Sequence, residues 1–325
     1  VIAYIIRRCL YALPILIGVN ILTFWLFFIV NSPDAMARLA LGTKHVSQSM
    51  VDAWKHERGY DKPMFVDPQG LGTQRLTNTI FFEKSAKLFA FDFGASDGGR
   101  DIGYDVRQRM GPSLAIAVPT LLLALLVEIS VSLFIVFFRA SYVDFWAQIL
   151  CIAMMSISML FYIIGGQYVV GRLWRLVPIS GYGDGLDSLR FVALPVLVGI
   201  VGGLGASVRV YRTYFLEEAG RDFVRTARAK GLSERVVMYR HVLGNAMIPI
   251  LTGLVVVLPS LFLGSLVMES FFGIPGLGSY TIDAIQNQDF AVVRAMVFLG
   301  SILYIVGLIM TDIAYSMFDP RVRFT

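Results

Sequence analysis

Cysteine and histidine are scarce in this chain, and their scarcity removes several chemistries at once. Only two cysteines, Cys9 and Cys151, occur among 325 residues, and both sit inside apolar runs. With no CxxC pair and no Cys/His spacing, neither a disulfide framework nor a zinc site is indicated. The three histidines, His45, His56 and His241, are scattered and form no HExxH pair, so metal chemistry is not expected. Charge is thin as well. Asp, Glu, Lys and Arg make up 16% of the residues against 56% hydrophobic, and the mean hydropathy is +0.69. That balance is too apolar for a soluble domain of this length. The net charge of +5 raises nucleic acid as a partner. In a membrane protein the commoner cause is Lys and Arg held on the cytoplasmic side, and no nucleic acid is expected here.

What is present instead is apolar sequence in long runs. A helix needs about 20 apolar residues to cross the hydrocarbon, and six segments reach that length: 9–30, 113–138, 145–170, 191–211, 246–268 and 295–317. The expected fold is an all-α integral membrane protein of six transmembrane helices. Residues 1–30 carry the first helix, 31–112 form a sizeable extramembrane insertion, 113–317 form the membrane core, and 318–325 are a short tail. The first run follows Arg7 and Arg8 as a signal peptide would. It is too long for a signal h-region and lacks a small-residue cleavage site, so an uncleaved first helix is expected. The fourth run is crowded with glycine (Gly199, Gly202, Gly203, Gly205). No strand precedes these glycines and no GK[ST] follows, so they read as close helix packing, with Gly199 and Gly203 as a GxxxG pair.

Charge placement orients the chain. With the N-terminus inside, the inner connections carry Arg7, Arg8, Arg139, the stretch 213–245, Arg321 and Arg323. Segment 269–293 holds Glu269, Asp283 and Asp289 and no Lys or Arg, which is the positive-inside contrast. Loop 171–190, with Arg172, Arg175 and Arg190, runs against it. Both termini are expected in the cytoplasm. In the insertion, 49–58 and 74–89 read as helical pieces and 92–101 as turns. Its length and aromatics suggest a cap or contact surface.

Residues 213–245 hold Arg221, Arg225, Arg228, Lys230, Arg235 and Arg240 against Glu217, Glu218, Asp222 and Glu234. Arg221, Arg225 and Arg228 are spaced i, i+4, i+7 and form one helical stripe; Phe223 and Ala227, with Val224 beside them, form another face. Gly231 fits a helix C′ position and Ser233 the N-cap of a second short helix. Two short helices meeting at a Gly-Leu-Ser corner make a compact protrusion that a partner protein can grip. A loop that only satisfied the positive-inside rule at the membrane lipid would need neither the glycine corner nor the small Ala227 and Ala229.

The stretch from Asp222 to Leu232, DFVRTARAKGL, and that from His241 to Pro249, HVLGNAMIP, resemble the permease subunits of bacterial dipeptide/oligopeptide (peptide/nickel class) ABC importers. The wider superfamily pattern is Glu-Ala-Ala, three residues, Gly, nine residues, Ile-x-Leu-Pro. This chain keeps Ala227, Gly231 and Leu243 and departs at Arg225, Thr226, His241 and Gly244. The departures follow the peptide subfamily's Arg-Thr-Ala-Arg-Ala-Lys-Gly. Further matches are Arg7, Arg8 and Pro14 at the start, the outer-side motif Glu269 to Gly278 (ESFFGIPGLG, with Pro275 and Gly276), Asp312, and DPRVR at 319–323. Glu128 and Ser130 stand where many relatives have a Gly-Ile-Pro turn.

The resemblance implies a type I importer permease fold in the bacterial inner membrane, with 31–112 on the periplasmic side. It implies a second homologous permease subunit, two cytoplasmic ATPase subunits and a periplasmic or extracellular substrate-binding protein. Asp222, Arg225, Thr226, Ala227, Arg228, Lys230, Gly231, Leu232 and Ser233 would be the ATPase-docking coupling helix region. No Walker motif occurs, so this chain is expected to bind no cofactor, and ATP and Mg would be used by the partner ATPases. The solute is expected to be a di- or oligopeptide, with a nickel chelate, glutathione or an opine-like compound as rivals. A receptor or enzyme using the basic loop for signalling is the rival of another class, and no clustered His, Asp or Ser supports an enzyme. Glu128 is the foremost pathway candidate, since intramembrane ions mark function by default, although pairing with a neighbouring helix accounts for it equally well. Gln167 and Tyr168 are further candidates for the pathway wall. Met154, Met155 and Met159 read as packing.

Overall fold

Apolar periodicity and caps lay the chain out as helices. The computed structural model describes residues 2–42, 46–68, 70, 72–183, 185–263 and 265–318; among them, the extended pairing is a single isolated bridge between Ala95 and Asp101. In chain order the helices are α1 (Ile2–Trp25), α2 (Pro33–Leu41), α3 (Gln48–Arg58), α4 (Gln74–Thr77), α5 (Ile80–Lys84), α6 (Ile102–Phe137), α7 (Tyr142–Ser156) and α8 (Met159–Gly166). There follow α9 (Ser188–Ala219), α10 (Asp222–Ala229), α11 (Glu234–Val236), α12 (Leu243–Leu263), α13 (Leu266–Phe272), α14 (Leu277–Gln286) and α15 (Phe290–Phe318). Three wider π turns extend or join them at Leu26–Val30, Gln167–Leu173 and Val237–Val242.

Four stretches of helix among the described residues are long and apolar enough to cross a membrane: Leu10–Val30, Ile102–Phe137, Ser188–Ala219 and Phe290–Met310. The third expected run, 145–170, is not one rod. Tyr142–Ser156 and Met159–Leu173 meet at 92° and make a fifth span only if taken together. The break is built locally. Ile157 is extended (ψ 127°), Ser158 caps α8 by accepting from the Leu160 N–H at 3.3 Å, and the Met154 carbonyl accepts both the Ile157 N–H at 3.3 Å and the Tyr162 hydroxyl at 2.9 Å. A side chain thus joins the backbone in satisfying the end of α7. The fifth expected run, 246–268, is also divided, between α12 and α13.

The chain forms two compact units, one of Val1–Met110 with Ser279–Ile309 and one of Gly111–Gly278 with Met310–Thr325. In the first, the segment that follows α1 packs onto it. Phe24 and Phe28 of α1 and its π turn pack with Met36, Ala37, Val51, Trp54, Tyr60 and Ile80 in one buried cluster. Its rings meet edge-on, Phe28 with Tyr60 at 5.3 Å and Trp54 with Tyr60 at 5.5 Å, and the Arg58 guanidinium lies over Trp54 at 4.4 Å. Aromatic edges and a cation over a ring face are favourable beyond the area they bury. The expected helix at 49–58 is α3, but 74–89 is broken into α4, α5 and a 3₁₀ turn, because Thr79 restarts the chain by accepting from the Phe82 N–H.

In the second unit α7 packs along α9, and glycines set the approach. A Cβ at Gly199 would stand 2.7 Å from Thr120 Cγ2, at Gly202 2.6 Å from Met159 Sδ, and at Gly205 2.7 Å from the Cys151 carbonyl oxygen. The glycine packing expected from the sequence is therefore present, with a correction: at Gly203 the nearest atom is Glu128 Oε1 at 3.6 Å, so the tight positions are 199, 202 and 205 rather than a 199/203 pair. Asp144 near the start of α7 accepts both Arg212 Nε (2.9 Å) and Nη2 (2.8 Å) from α9, a bidentate geometry that fixes the two helices in register.

Candidate functional site

The basic stretch 213–245 is helical almost throughout. Its first seven residues continue α9, which at 1.5 Å per residue is about 48 Å long and so outruns the hydrocarbon's roughly 30 Å. After a turn at Gly220, α10 runs to Ala229, and the chain reverses at Lys230–Ser233. Gly231 has φ +75° with open space around it, so glycine is required there by the backbone and not by crowding. Its N–H and that of Leu232 return to the Arg228 and Ala227 carbonyls, closing the end of α10. Ser233 occupies the N-cap of α11 as the sequence predicts, yet its hydroxyl makes no cap bond; its carbonyl accepts from the Val237 N–H at 3.0 Å.

A fork of hydrogen bonds braces the corner. Arg228 Nη2 and Nε donate to the two carboxylate oxygens of Glu234 at 2.6 and 3.1 Å. The Arg228 guanidinium holds the Glu234 carboxyl below the usual carboxylate range, and the carboxylate in turn raises Arg228. The face of α10 turned inward is Val224 and Ala227, 0% and 5% exposed, while Phe223 is out at 38%; this corrects the pairing of Phe223 with Ala227. Val224 and Ala227 share a buried cluster with Leu133, Val136, Phe215, Ala219, Val237, Met238, Val242, Ala246 and Ile250. The corner is thus seated on the ends of α6, α9 and α12. Asp222, Arg225, Thr226, Lys230, Gly231, Leu232 and Ser233 remain exposed around it. Arg225 and Asp222 touch at 3.5 Å but are 75% and 96% exposed, a contact worth little by itself.

A second locus is a cavity of about 480 Å³ within the same unit, bounded by α6, α8, α9, α12 and α13. Of the three pathway candidates only Glu128 lines it, with Thr120, Gly199, Ser207, Tyr211 and Met159 among its neighbours. Glu128 is 6% exposed and hydrogen-bonds the Ser207 hydroxyl. A charge at this depth costs on the order of 3 kcal/mol to insert, which apolar packing alone would not retain. Gln167 and Tyr168 lie elsewhere. The Gln167 amide donates to the Phe271 and Ile179 carbonyls at 2.9 and 3.3 Å, stapling two segments, and Tyr168 lies beside Arg172 and Arg175 in a separate pocket. Gly199, Ser207 and Tyr211 recur at multiples of four along α9, the spacing of one helix face; that stripe is the signal the sequence offered for this wall.

The motif at 269–278 closes on one buried carboxylate. Glu269 is 1% exposed; its Oε1 accepts from Ser113 Oγ at 2.8 Å and from the Ser265 N–H at 3.2 Å. The Ser113 hydroxyl also accepts from the Leu277 N–H at 2.8 Å. A Cβ at Gly276 would overlap the Glu269 carboxylate and the Ser113 hydroxyl, and one at Gly278 would stand 2.8 Å from the Leu266 nitrogen. Pro275 centres a tight turn in which the Gly276 N–H donates to the Ile274 carbonyl at 2.8 Å, a turn whose φ proline pre-sets. Glu269, Pro275, Gly276 and Gly278 thus form one knot. Ser113, its anchor from α6, carries no signature in the sequence. Asp312 and the stretch 319–323 lie outside the residues whose side chains are described.

Comparison with known proteins follows this geometry. Residues 131–324 match the model of the binding-protein-dependent transport system inner membrane component family, and residues 1–74 match the model of that group's N-terminal region. The chain is 26% identical over 339 residues to the oligopeptide transport system permease protein AppB of Bacillus subtilis, covering 99% of each. It is 28% identical over 348 residues to the dipeptide transport system permease protein DppB of Escherichia coli, covering 98% of each. With its all-helical membrane fold and its braced glycine corner, this chain belongs to the family of binding-protein-dependent transport system inner membrane components, as a multi-pass membrane permease.

Proposed function

We propose that this chain is one of two homologous permease subunits of an ABC importer that carries di- or oligopeptides into the cell. Two cytoplasmic ATPase subunits use ATP and Mg, and a periplasmic or extracellular binding protein delivers the solute. The permease itself binds no cofactor. Both termini lie in the cytoplasm, segment 31–112 lies outside, and the corner around Gly231 sits in a cleft of one ATPase. Asp222, Arg225, Thr226, Lys230, Leu232 and Ser233 meet that partner, while Val224 and Ala227 bind the corner to the helices behind it.

The observation that carries this reading is the seat of the corner. Val224, Ala227 and Val237 are buried with Phe215 of α9 and Leu133 of α6, so a force on the exposed rim is passed to helices that also bound the cavity. Alternating access then follows as rigid-body motion of packed elements. The full-length likeness to a dipeptide and an oligopeptide permease supports a peptide as solute. The test is uptake by the complete transporter, assembled with its encoded partners in proteoliposomes. Labelled di- and tripeptides should enter only with ATP and the binding protein, and Gly231→Trp should abolish entry at normal protein levels. Uptake of a nickel chelate, glutathione or an opine-like compound in place of peptides would overturn the choice of solute; full uptake by Gly231→Trp would overturn the docking role.

A further inference from the structure

Two carboxylates face the 480 Å³ cavity, and they differ in how they are satisfied. Glu269 is held by the Ser113 hydroxyl and the Ser265 N–H within the turn it closes. Glu128 projects from the middle of α6, with the Ser207 hydroxyl as a hydrogen-bonding partner and Thr120 and Tyr211 also lining the cavity. Among the described residues that line the cavity there is no Lys, Arg or His. A buried carboxylate is ordinarily matched by a cation, and a hydroxyl supplies a single donor to a group with about four acceptor sites. Towards α9 the carboxylate is close-packed, since a Cβ at Gly203 would make ordinary contact with Oε1 at 3.6 Å; the room beside it is the cavity that Glu128 lines. The volume suits a small ligand, and Leu121, Leu125, Met159 and Leu254 give the walls an apolar character.

We infer that Glu128 is the permease's own recognition point for a cationic amine, and that the cavity takes a small solute with an ammonium group on an apolar body. The inference rests on the peptide reading above, for which the ammonium is a peptide amino terminus, and it names the part of the solute that this subunit reads. The carboxylate and the Ser207 hydroxyl hold the ammonium, and the apolar walls receive the side chain next to it.

Two measurements test this. In the assembled transporter, Glu128→Gln should raise the KM for an apolar dipeptide by at least about tenfold, whereas Glu128→Asp, which keeps the charge, should recover most of the affinity. Equal effects of Gln and Asp, or no effect of either, would overturn the inference and leave Glu128 as a contact between α6 and α9. In the unmutated protein, a hydrophobic carbodiimide should label Glu128, and hexylammonium should protect it while hexanol does not. Equal protection by both, or by neither, would overturn the inference even where the Gln variant fails to accumulate. The hexylammonium arm contains no peptide, so selective protection without peptide uptake would count against the peptide reading alone.

Discussion

Single residues in this protein act by excluding or admitting one atom. At Gly276 a methyl group would overlap the Glu269 carboxylate and its Ser113 partner. Gly276→Ala should therefore destabilise the protein by about 1–3 kcal/mol, as overpacking does. Ser113→Ala removes a donor from a buried carboxylate and an acceptor from the Leu277 N–H, and should cost about 1–3 kcal/mol. Thermal unfolding of the purified variants in detergent checks both, and unchanged midpoints would show that the knot is not structural. Some of this is visible before folding. Glu128 declares itself as an ion inside an apolar run, and Gly231 as a helix stop followed by a serine cap. Ser113 and Glu269 are 156 residues apart, and nothing local to either names the other.

At the scale of elements, the corner depends on the fork between Arg228 and Glu234. Arg228→Glu sets two carboxylates against each other across the Gly231 turn and should lower uptake. The exchange Arg228→Glu with Glu234→Arg should restore it, with uptake by the assembled transporter as the readout. Failure of the exchange to rescue would mean that the partner, and not the brace, reads Arg228. The sign of the pH dependence follows from the depressed Glu234 carboxyl. The brace is complete above the ordinary glutamate value of about 4.5 and is lost as the pH falls through the lower, folded value. Hydrogen exchange at 230–237 should accordingly rise only in that acid range. Elements also mark where sequence reading stops. The helices α1, α6, α9 and α15 follow from hydropathy. The 92° turn at Ile157 does not, because Ser156, Ile157 and Ser158 sit in a run whose apolar character never falters. Hydropathy measures partition into lipid and is blind to a cap. Phe223 departs from its expected face for a related reason: a phenyl ring on a short helix reads as core, yet the smaller Val224 and Ala227 are what fit beneath α10.

At the scale of the whole molecule, the chain divides labour between an ordered insertion in one unit and the cavity and corner in the other. No phosphate-binding loop occurs among the described residues of either, and the glycines of α9 serve helix contacts. The purified chain alone should release no phosphate from ATP. Hydrolysis that persists after removal of every partner ATPase would contradict the permease assignment's division of work.

One helix bears on both halves of the second unit. Ser207, at the cavity, and Phe215, under the corner, belong to the same uninterrupted α9, about 12 Å apart along its axis. A solute at Glu128 and a partner at the Gly231 rim, as proposed above, would bias the same rod, and their free energies of binding would be linked in both directions. The consequence is an accounting identity of equilibrium: whatever factor the engaged partner applies to solute affinity, the bound solute must return to the affinity of that partner.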